Sequence, residues 1–371
     1  LVVYAACGDK RSNSVSEGVF AGPDTPVIDG LPSARANNDY SRITVQWNAA
    51  WPANNGNFAA PVTYTVTRMP DNAIVAAGLS ENKYVDILSS DIKTRYSYLI
   101  TPVAGEKIGD AVTSRQSFGG RYFALPHTDD FTDNDLFLQY PVIDGNNDDH
   151  LWDFNASRKA AFYESTSKNA DDYLLIGPFK GEAGNTYTFT FTADGYSCRE
   201  KVAAYVGSNP DDVKSFSHQI VAPTEVDPLK GESLLEGSYE ATESGDLYFA
   251  IHACSGANTQ FLYIYDVAVN VIGPKCPAPP TDIKVTPGAT DAKLEFTMPA
   301  TNLDGSPATG LTAAKIYRDG NLIKTITEGI SKGSRVTFID KDEVGTGYHN
   351  YKVCAVNAVG SGKSASLQVY R

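Results

Sequence analysis

The stretch TYTFTFTA at residues 186–193 alternates an apolar or aromatic side chain with threonine at every second position. Successive side chains of a β-strand point to opposite faces of its sheet, so this period of two predicts a strand with one buried face. The same character recurs in DLYFAIHA at 246–253 and in FLYIYDVAVNV at 261–271. These three segments predict strands of a β-sandwich.

Short strand patterns continue along the rest of the chain, separated by turn-rich segments. They include ITVQW (43–47), TYTVTR (63–68) and YSYLITPV (96–103), and no amphipathic helix longer than about two turns is predicted. Near the C-terminus the Asp319–Gly320 pair stands between two apolar runs, which is typical of a hairpin turn. Short strands at regular spacing indicate sandwiches rather than βαβ units. The predicted fold class is therefore all-β, with tandem β-sandwiches.

Length and charge limit the classes of protein that this chain can belong to. Its 371 residues suit two or three domains. The formal net charge of −13 argues against partners that are nucleic acids or anionic membrane surfaces. No apolar run reaches the roughly 18 residues that span a bilayer, so no membrane insertion by this segment is expected. Because the chain starts at Leu1 without a signal peptide, we expect a processed form or a piece of something longer.

An internal repeat relates three parts of the sequence. Residues 351–370 have the plan of residues 1–20, which is a strand, a polar or Gly-rich turn and a Ser-rich second strand, and the segment from Tyr96 follows it too. The pattern resembles the last two strands of fibronectin type III domains. Tyr96 stands where that family has its tyrosine corner, and the aligned position of the last copy is His349. Trp47 matches the family's core tryptophan.

The resemblance to fibronectin type III domains implies a domain organisation. Such domains are expected at 22–118 and 277–371, and residues 1–21 are expected to be the closing strands of a preceding one. The Pro-rich segment GPKCPAPP (273–280) marks the last boundary, since proline is excluded from strand interiors. The middle region, 119–272, is too long for another unit of this kind.

The middle region has its own order of motifs. An Asp- and Asn-rich loop begins at Asp144, a DxYL-type strand leads from Asp172, and the last strand reaches Asp266 before Val267. This order resembles the cleaved adhesin, or choice-of-anchor, domain of secreted proteins from Gram-negative anaerobes, gingipain adhesins among them. The resemblance implies a jelly-roll β-sandwich at 119–272. It also implies a protein that is extracellular or on the outer surface of a Gram-negative bacterium.

The Asp-rich loop is a candidate metal site. Asp144, Asn146 and Asp148 alternate at i, i+2 and i+4, so a tightly curled loop would aim their oxygens at one centre. Ca²⁺ takes about six to eight oxygen ligands, and we predict one structural Ca²⁺ here. If the first and last strands of the domain run side by side, three further aspartates are expected to complete the shell: Asp129, Asp130 and Asp266. The alternative is a solvated turn whose side chains bond their own backbone.

Two aromatic residues and two cysteines complete the candidate sites. Trp152 and Tyr196 are predicted to bind a ligand, because aromatic rings suit the apolar faces of sugars; the alternative for Trp152 is a plug at one end of the sandwich. Tyr263 is assigned to the core by alternation. Cys198 and Cys254 both follow strand patterns, and a disulfide between them is predicted, with two small buried thiols as the alternative.

The sequence contains no GxSxG elbow and no HExxH motif. NAVGSGKS (357–364) ends like a phosphate-binding loop, but it lies between two predicted strands and is interpreted as a hairpin turn. The prediction is a monomeric, non-catalytic adhesion or glycan-binding protein. The jelly roll is its binding module, and its partner is an extracellular glycan or a host or matrix protein. The alternatives are an accessory region of a larger secreted hydrolase and a purely structural stalk.

Overall fold

The computed structural model describes residues 2–16, 20–288, 291–341 and 346–370. Strand accounts for 55% of it and helix for 2%, which confirms the all-β prediction. The chain divides into two compact units, Leu1–Tyr122 and Phe123–Arg371. The domain boundaries inferred from the sequence remain predictions, and residues 17–19 of the predicted N-terminal remnant lie outside the described residues.

The first unit is built from antiparallel strands. In chain order these are β1 (Val2–Val3), β2 (Ala6–Cys7), β3 (Lys10–Arg11), β4 (Val15–Ser16), β5 (Pro26–Val27), β6 (Ser33–Ala36), β7 (Arg42–Gln46), β8 (Trp51–Pro52), β9 (Thr63–Met69), β10 (Ala73–Leu79), β11 (Lys83–Ile87), β12 (Thr94–Ala104), β13 (Lys107–Ile108), β14 (Val112–Thr113) and β15 (Ser117–Gly119). One sheet has the order β10-β9-β12, with β13, β14 and β15 also pairing with β12, and a second has the order β11-β7-β6. The pairs β1–β4, β2–β3 and β5–β8 form small ribbons.

The core of the first unit follows from the alternation seen in the sequence. Ile43 and Val45 of β7 are fully buried, while the residues between them face outward. Trp47 is 3% exposed, and its ring packs edge-on against that of Tyr64 with 5.3 Å between centroids. The prediction that Trp47 is a core residue is confirmed.

The second unit holds the remaining elements. They are β16 (His127–Asp129), α1 (Asn134–Phe137), β17 (Val142–Asp144), β18 (Asp153–Asn155), β19 (Ala160–Glu164), β20 (Asp172–Gly181), β21 (Thr186–Tyr196), β22 (Glu200–Gly207), a 3₁₀ turn (Val213–Ser215), β23 (His218–Val226), β24 (Ser233–Glu240), β25 (Gly245–Ala253), β26 (Phe261–Ile272), β27 (Thr281–Pro287), β28 (Ala292–Thr297), β29 (Leu311–Arg318), β30 (Asn321–Ile326), β31 (Arg335–Asp340), β32 (Tyr348–Asn357) and β33 (Ser361–Tyr370). Within the described residues, no helix has the length and apolar character needed to cross a membrane.

Residues 123–272 form two facing sheets, which we call sheet I and sheet J. Sheet I has the order β18-β19-β26-β21-β24, with β16 on β26, and sheet J has the order β17-β20-β25-β22-β23. The core between them is rich in aromatic rings, and Phe189 of sheet I stacks on Phe249 of sheet J at 5.1 Å. The alternation of TYTFTFTA therefore places its aromatic residues between the two sheets and its threonines on the outer face of sheet I.

The last sandwich pairs a sheet of order β27-β28-β31 with a sheet of order β30-β29-β32-β33. The predicted hairpin is confirmed, because β29 and β30 are joined by Asp319 and Gly320 alone, at φ 49° and 86°. These left-handed conformations are the ones a two-residue turn requires. The segment interpreted as a turn rather than a phosphate loop joins β32 to β33, and the Asn357 side chain accepts hydrogen bonds from the backbone amides of Val359 and Gly360.

A buried triad of Tyr, Asp and Arg lies in the first unit. The Tyr98 hydroxyl donates to Asp86 Oδ2 at 2.9 Å, and Arg68 Nη1 pairs with the same oxygen at 3.1 Å. Burial, reinforced by the Asp86 carboxylate, raises the pKa of Tyr98. The tyrosine corner expected at Tyr96 is a bond from a hydroxyl to the backbone, so the bond between Tyr98 and Asp86 is a separate contact and the Tyr96 assignment stays a prediction. The two tyrosines are two residues apart, and their side chains lie on the same face of β12.

The last sandwich repeats this triad. The Tyr351 hydroxyl donates to Asp340 Oδ2 at 2.7 Å, and Arg318 Nη1 donates to the same oxygen. Asp340 is 1% exposed and Tyr351 is fully buried. His349, which aligns with Tyr96, bonds Asp319 at 2.6 Å instead. The two sandwiches therefore share an internal polar anchor that the strand patterns alone did not identify.

Candidate functional site

Strand pairing brings the Asp-rich loop together with a third aspartate. Asp144 is the last residue of β17, and its partner in the register with β20 is Asp172. Asp148 lies in the loop that follows. Each of these three side chains offers a carboxylate oxygen, and the three oxygens lie within 4.8 Å of one another. We call Asp144, Asp148 and Asp172 the carboxylate cluster.

Hydrogen bonds within the loop fix the first two carboxylates. Asp144 accepts from the backbone amides of Asp148 at 3.1 Å and Asp149 at 2.9 Å. Asp148 accepts from the backbone amide of His150 at 3.0 Å and from the Thr166 hydroxyl at 2.8 Å. These are the backbone bonds expected for an Asx-rich turn. The loop is thus held in one conformation by its own side chains.

Gly145 is needed for the loop to approach the neighbouring strand. Its amide donates to the Asp171 carbonyl oxygen at 2.8 Å, and a Cβ built on Gly145 would lie 2.2 Å from that oxygen. No side chain fits at that distance. The approach brings the Asp144 end of the loop against the start of β20, where Asp172 stands.

Asp172 is the member of the cluster whose carboxylate has the fewest hydrogen-bond donors around it. It is fully buried, and its Oδ1 atom has no hydrogen-bond partner of ordinary geometry, although the Tyr163 hydroxyl lies nearby. Burial raises the pKa of Asp172 to about 6. Asn146 Oδ1 is also buried and without a partner, while Asn146 Nδ2 donates to Asp148 Oδ2 at 3.3 Å. Carboxylate and amide oxygens are the ligands that Ca²⁺ takes, so these groups have the chemistry of a calcium site.

The other three predicted calcium ligands lie elsewhere. β16 does pair with β26, as the prediction required, but Asp129, Asp130 and Asp266 line a different cavity of about 520 Å³. Asp129 accepts hydrogen bonds from the Phe131 amide at 2.8 Å and the Tyr140 hydroxyl at 2.9 Å, and burial raises its pKa. Among the residues that the structure describes, these three do not join the carboxylate cluster. The predicted six-residue set is therefore divided between two places.

Cys198 and Cys254 are both free thiols in the structure, so the predicted disulfide is not formed. The reason lies in the partners of the first cysteine. Cys198 Sγ points to Glu200 Oε1 at 3.3 Å, and that buried carboxylate also accepts from the hydroxyls of Ser255 and Thr259. Burial raises the pKa of the Cys254 thiol to about 11. The alternative of two small buried thiols is met in part, because both thiols are separate but only half-buried.

Trp152 does not offer a surface for ligand stacking. It is 3% exposed, its ring lies 5.9 Å from that of Tyr163 in the core, and its Nε1 donates to the Asp172 carbonyl oxygen at 3.1 Å. The prediction that Trp152 binds a ligand together with Tyr196 is corrected by this burial, because Trp152 belongs to the core between the two sheets whereas Tyr196 lies on the surface. Trp152 is instead hydrogen-bonded to the backbone of Asp172, the β20 member of the carboxylate cluster.

Tyr196 is a surface residue, as predicted, and it has aromatic neighbours. Strand β21 alternates, so that Ala193 faces the core while Asp194 and Tyr196 face outward. Tyr196 is 43% exposed, and its ring centroid lies 6.1 Å from that of Phe261 and 6.4 Å from that of Tyr263. Tyr263 is 5% exposed and therefore buried, as its assignment to the core required. It lies outside the core between the two sheets, however, because its neighbours Leu262 and Ile264 face that core while Tyr263 packs among rings on the outer side.

Five rings from three strands form this outer surface, which we call the aromatic face. Its members are Phe162 of β19, Tyr196 of β21, and Phe261, Tyr263 and Tyr265 of β26. Of these five residues only Tyr196 was predicted to bind a ligand, and the rings come together because β19, β26 and β21 are neighbours in sheet I.

Charged groups border the aromatic face. The Arg158 guanidinium carbon lies 4.8 Å above the Tyr196 ring centroid and 4.7 Å above that of Tyr263, a cation–π arrangement. Asp194 is paired in register with Tyr263 and lies on the same side of the sheet, and its Oδ1 atom is buried without a hydrogen-bond partner. An aromatic surface, a guanidinium and a carboxylate are thus combined within one patch.

No protein-family model matches the chain, and no curated protein matches it. Solved structures give weak similarities. The K1 cleaved adhesin domain of Lys-gingipain from Porphyromonas gingivalis W83 is 13% identical, covering 40% of this chain and 98% of that one, with a TM-score of 0.33. The CBM22-1 xylan-binding domain from Paenibacillus barcinonensis Xyn10C is 11% identical, covering 40% and 94%, with a TM-score of 0.30. The glycoside hydrolase domain of Endo-D from Streptococcus pneumoniae R6 is 12% identical, covering 62% and 37%, with a TM-score of 0.29. These values do not establish a shared function.

Proposed function

We propose that this protein is a non-catalytic binding protein, extracellular or on the outer surface of a Gram-negative bacterium, and that its aromatic face binds a glycan. The observation that carries the proposal is the combination of an exposed Tyr196 ring with Arg158 and Asp194 in one patch. Sugar rings have apolar faces that pack on aromatic rings and hydroxyl groups that bond charged side chains. Such sites combine an apolar surface with a few placed polar groups.

Arg158 has a specific role in this proposal. Its guanidinium lies over two of the tyrosine rings, which leaves the edge N–H groups as hydrogen-bond donors at the border of the face. Asp194, a half-buried carboxylate on the same side of the sheet, supplies an acceptor at the border of the face. A glycan that packs on the aromatic face would meet this donor and this acceptor at its border.

The proposal includes one structural Ca²⁺ bound by the carboxylate cluster with Asn146. The support is the convergence of three carboxylates and the two buried oxygens without partners, on Asp172 and Asn146. Such an ion would neutralise the buried charge of Asp172 and tie the loop to β20. Its place is the 144–148 loop rather than the aromatic face, so the ion is assigned to stability and not to glycan contact.

Replacing Tyr196 with alanine is expected to weaken glycan binding by about tenfold, because an aromatic stacking contact contributes up to about 1.5 kcal/mol. A glycan array screened with the wild-type protein identifies the ligand, and calorimetry on the best glycan measures the affinity of each variant. The matched control is Tyr348→Ala, which removes a tyrosine that is 70% exposed on the last sandwich.

Tyr348→Ala is expected to bind like the wild type. An array on which the wild type binds no glycan, or equal affinities for Tyr196→Ala and wild type, would contradict the proposed site. If the wild type binds no glycan, an array of host and matrix proteins is screened next. Binding there indicates a protein-binding adhesin, and no binding indicates a structural stalk.

A further inference from the structure

A second cavity lies within the second unit, away from the aromatic face. Its volume is about 410 Å³. One wall is the end of β26 with Pro126, and the other is the outer face of β29, β32 and β33 in the last sandwich. This size is typical of small-molecule sites and exceeds what a single inorganic ion fills.

The cavity is basic although the protein is acidic. Lys315, Lys352 and Lys363 line it, and none of its lining residues in the described chain is Asp or Glu. The whole sequence has 44 acidic and 31 basic residues, so a cavity with three lysines and no carboxylate departs from the average surface. Within the described residues, none of the three lysines has an ion-pair partner.

Strand register places two of the lysines on one face. Lys315 is opposite Cys354 and Tyr317 is opposite Lys352 in the pairing of β29 with β32. The Lys352 ammonium lies 4.9 Å from the Tyr317 ring centroid, which holds that side chain over the ring. Burial raises the pKa of the Cys354 thiol, and the charges of both lysines oppose that rise, as expected of cations on the same face.

The walls of the cavity are held together by the linker between the sandwiches. Cys276 is fully buried in it, and Lys275 pairs with Asp304 at 2.6 Å. Gly362 packs so closely on this linker that a Cβ there would lie 2.0 Å from the Pro277 carbonyl oxygen. The linker that borders the cavity is therefore packed against the sandwiches and is not a loose tether between them.

We infer that this cavity binds a small anionic sugar of the uronic acid class, whose carboxylate pairs with the lysines. Pro126, Val271 and Ile272 offer an apolar surface to the sugar ring, while Asn270 and Ser361 offer polar groups to its hydroxyls. Three unpaired ammonium groups favour a ligand that carries a negative charge. The inference concerns a separate site and does not rest on the glycan proposed for the aromatic face.

Titration of the protein with sodium glucuronate, at ionic strength held constant with sodium chloride, tests the inference by calorimetry. Glucuronate is expected to bind and uncharged glucose is not. Lys352→Gln and Lys315→Gln are each expected to weaken binding by about tenfold, the size typical of a lost hydrogen bond to a charged group. Lys324→Gln, on the neighbouring strand β30 and outside the cavity lining, is the matched control and should bind like the wild type.

Three results would overturn the inference. They are equal binding of glucose and glucuronate, equal affinity of both lysine variants and wild type, and binding of inorganic sulfate as tight as that of glucuronate. Tyr196→Ala separates this site from the aromatic face, because that variant should keep its affinity for glucuronate. Loss of glucuronate binding in Tyr196→Ala would place the sugar acid on the aromatic face instead.

Discussion

Asp340→Ala is expected to destabilise the last sandwich by about 3–5 kcal/mol, the range found when one partner of a buried ion pair is removed. The Asp340 carboxylate is 1% exposed and accepts from both the Tyr351 hydroxyl and Arg318. Without it, a guanidinium whose side chain is 14% exposed loses its buried counter-charge, and a buried hydroxyl loses its acceptor. Each kcal/mol lost from a domain of this size lowers the Tm by about 4–8 °C, so the expected fall is about 12 °C or more.

The measurement is chemical and thermal unfolding of the whole chain. Hydrogen exchange of the backbone amides in β29 and β32 then reports the stability of the last sandwich separately from that of the remaining chain. Tyr351→Phe is the matched control. It keeps the ion pair and removes one hydroxyl, so a cost of about 1–2 kcal/mol is expected. If the free energy of unfolding of Asp340→Ala lies within about 1 kcal/mol of that of the wild type, the triad is not a stabilising anchor.

Calcium at 1 mM is expected to stabilise the second unit by about 3–4 kcal/mol at pH 7.5 if its Kd lies in the low micromolar range. This effect depends on pH through Asp172, whose pKa is raised by burial from 3.8 to about 6. In chelator the folded state binds more protons at this group than the unfolded state between those two values. Stability from Asp172 is therefore present at low pH and is lost as pH rises through 6, by about 3 kcal/mol in total.

Calcium needs the deprotonated carboxylate, so its stabilising effect should grow as pH rises through 6. The rise in Tm on adding calcium is expected to be small at pH 4.5 and full at pH 7.5. Asp172→Asn should lose most of the calcium effect, and in chelator at pH 7.5 it should be more stable than the wild type because no buried charge remains.

Asp149→Asn is the control for the calcium experiment. Asp149 lies in the same loop, outside the carboxylate cluster, and only its backbone amide bonds Asp144. Its φ of 62° is one that asparagine tolerates. This variant should respond to calcium like the wild type. The proposed calcium site would be contradicted by a Tm that is the same in chelator and in calcium, or by an Asp172→Asn variant that still responds fully. The loop would then be a turn held only by its own hydrogen bonds.

The strands themselves could be predicted from the sequence because their cause is local. The period of two in TYTFTFTA sets which residues face the core, and Phe189 and Phe191 are fully buried as that period requires. The turn at Asp319 and Gly320 was equally predictable, since two left-handed residues define it. Backbone preference and alternation act over a few residues, so a short stretch contains the information.

The sites depended on which strands are neighbours and in what register. Asp172 joins Asp144 only because β17 pairs with β20 at that position, and the sequence had placed it in a strand without a metal role. Alternation in β21 predicted that Tyr196 is exposed, but the rings around it come from two other strands. Trp152 was equally compatible with a surface and a core position until the packing of Tyr163 against it was known.

The sequence by itself therefore determined the all-β class, the strands and the short turns, whereas tertiary structure decided the carboxylate cluster, the aromatic face and the lysine-lined cavity. The physical reason is the range of the forces involved. Local alternation fixes the side of a strand on which a residue lies. The pairing of distant strands is fixed by burial of the whole core, and a shift of register by one residue would reverse every face.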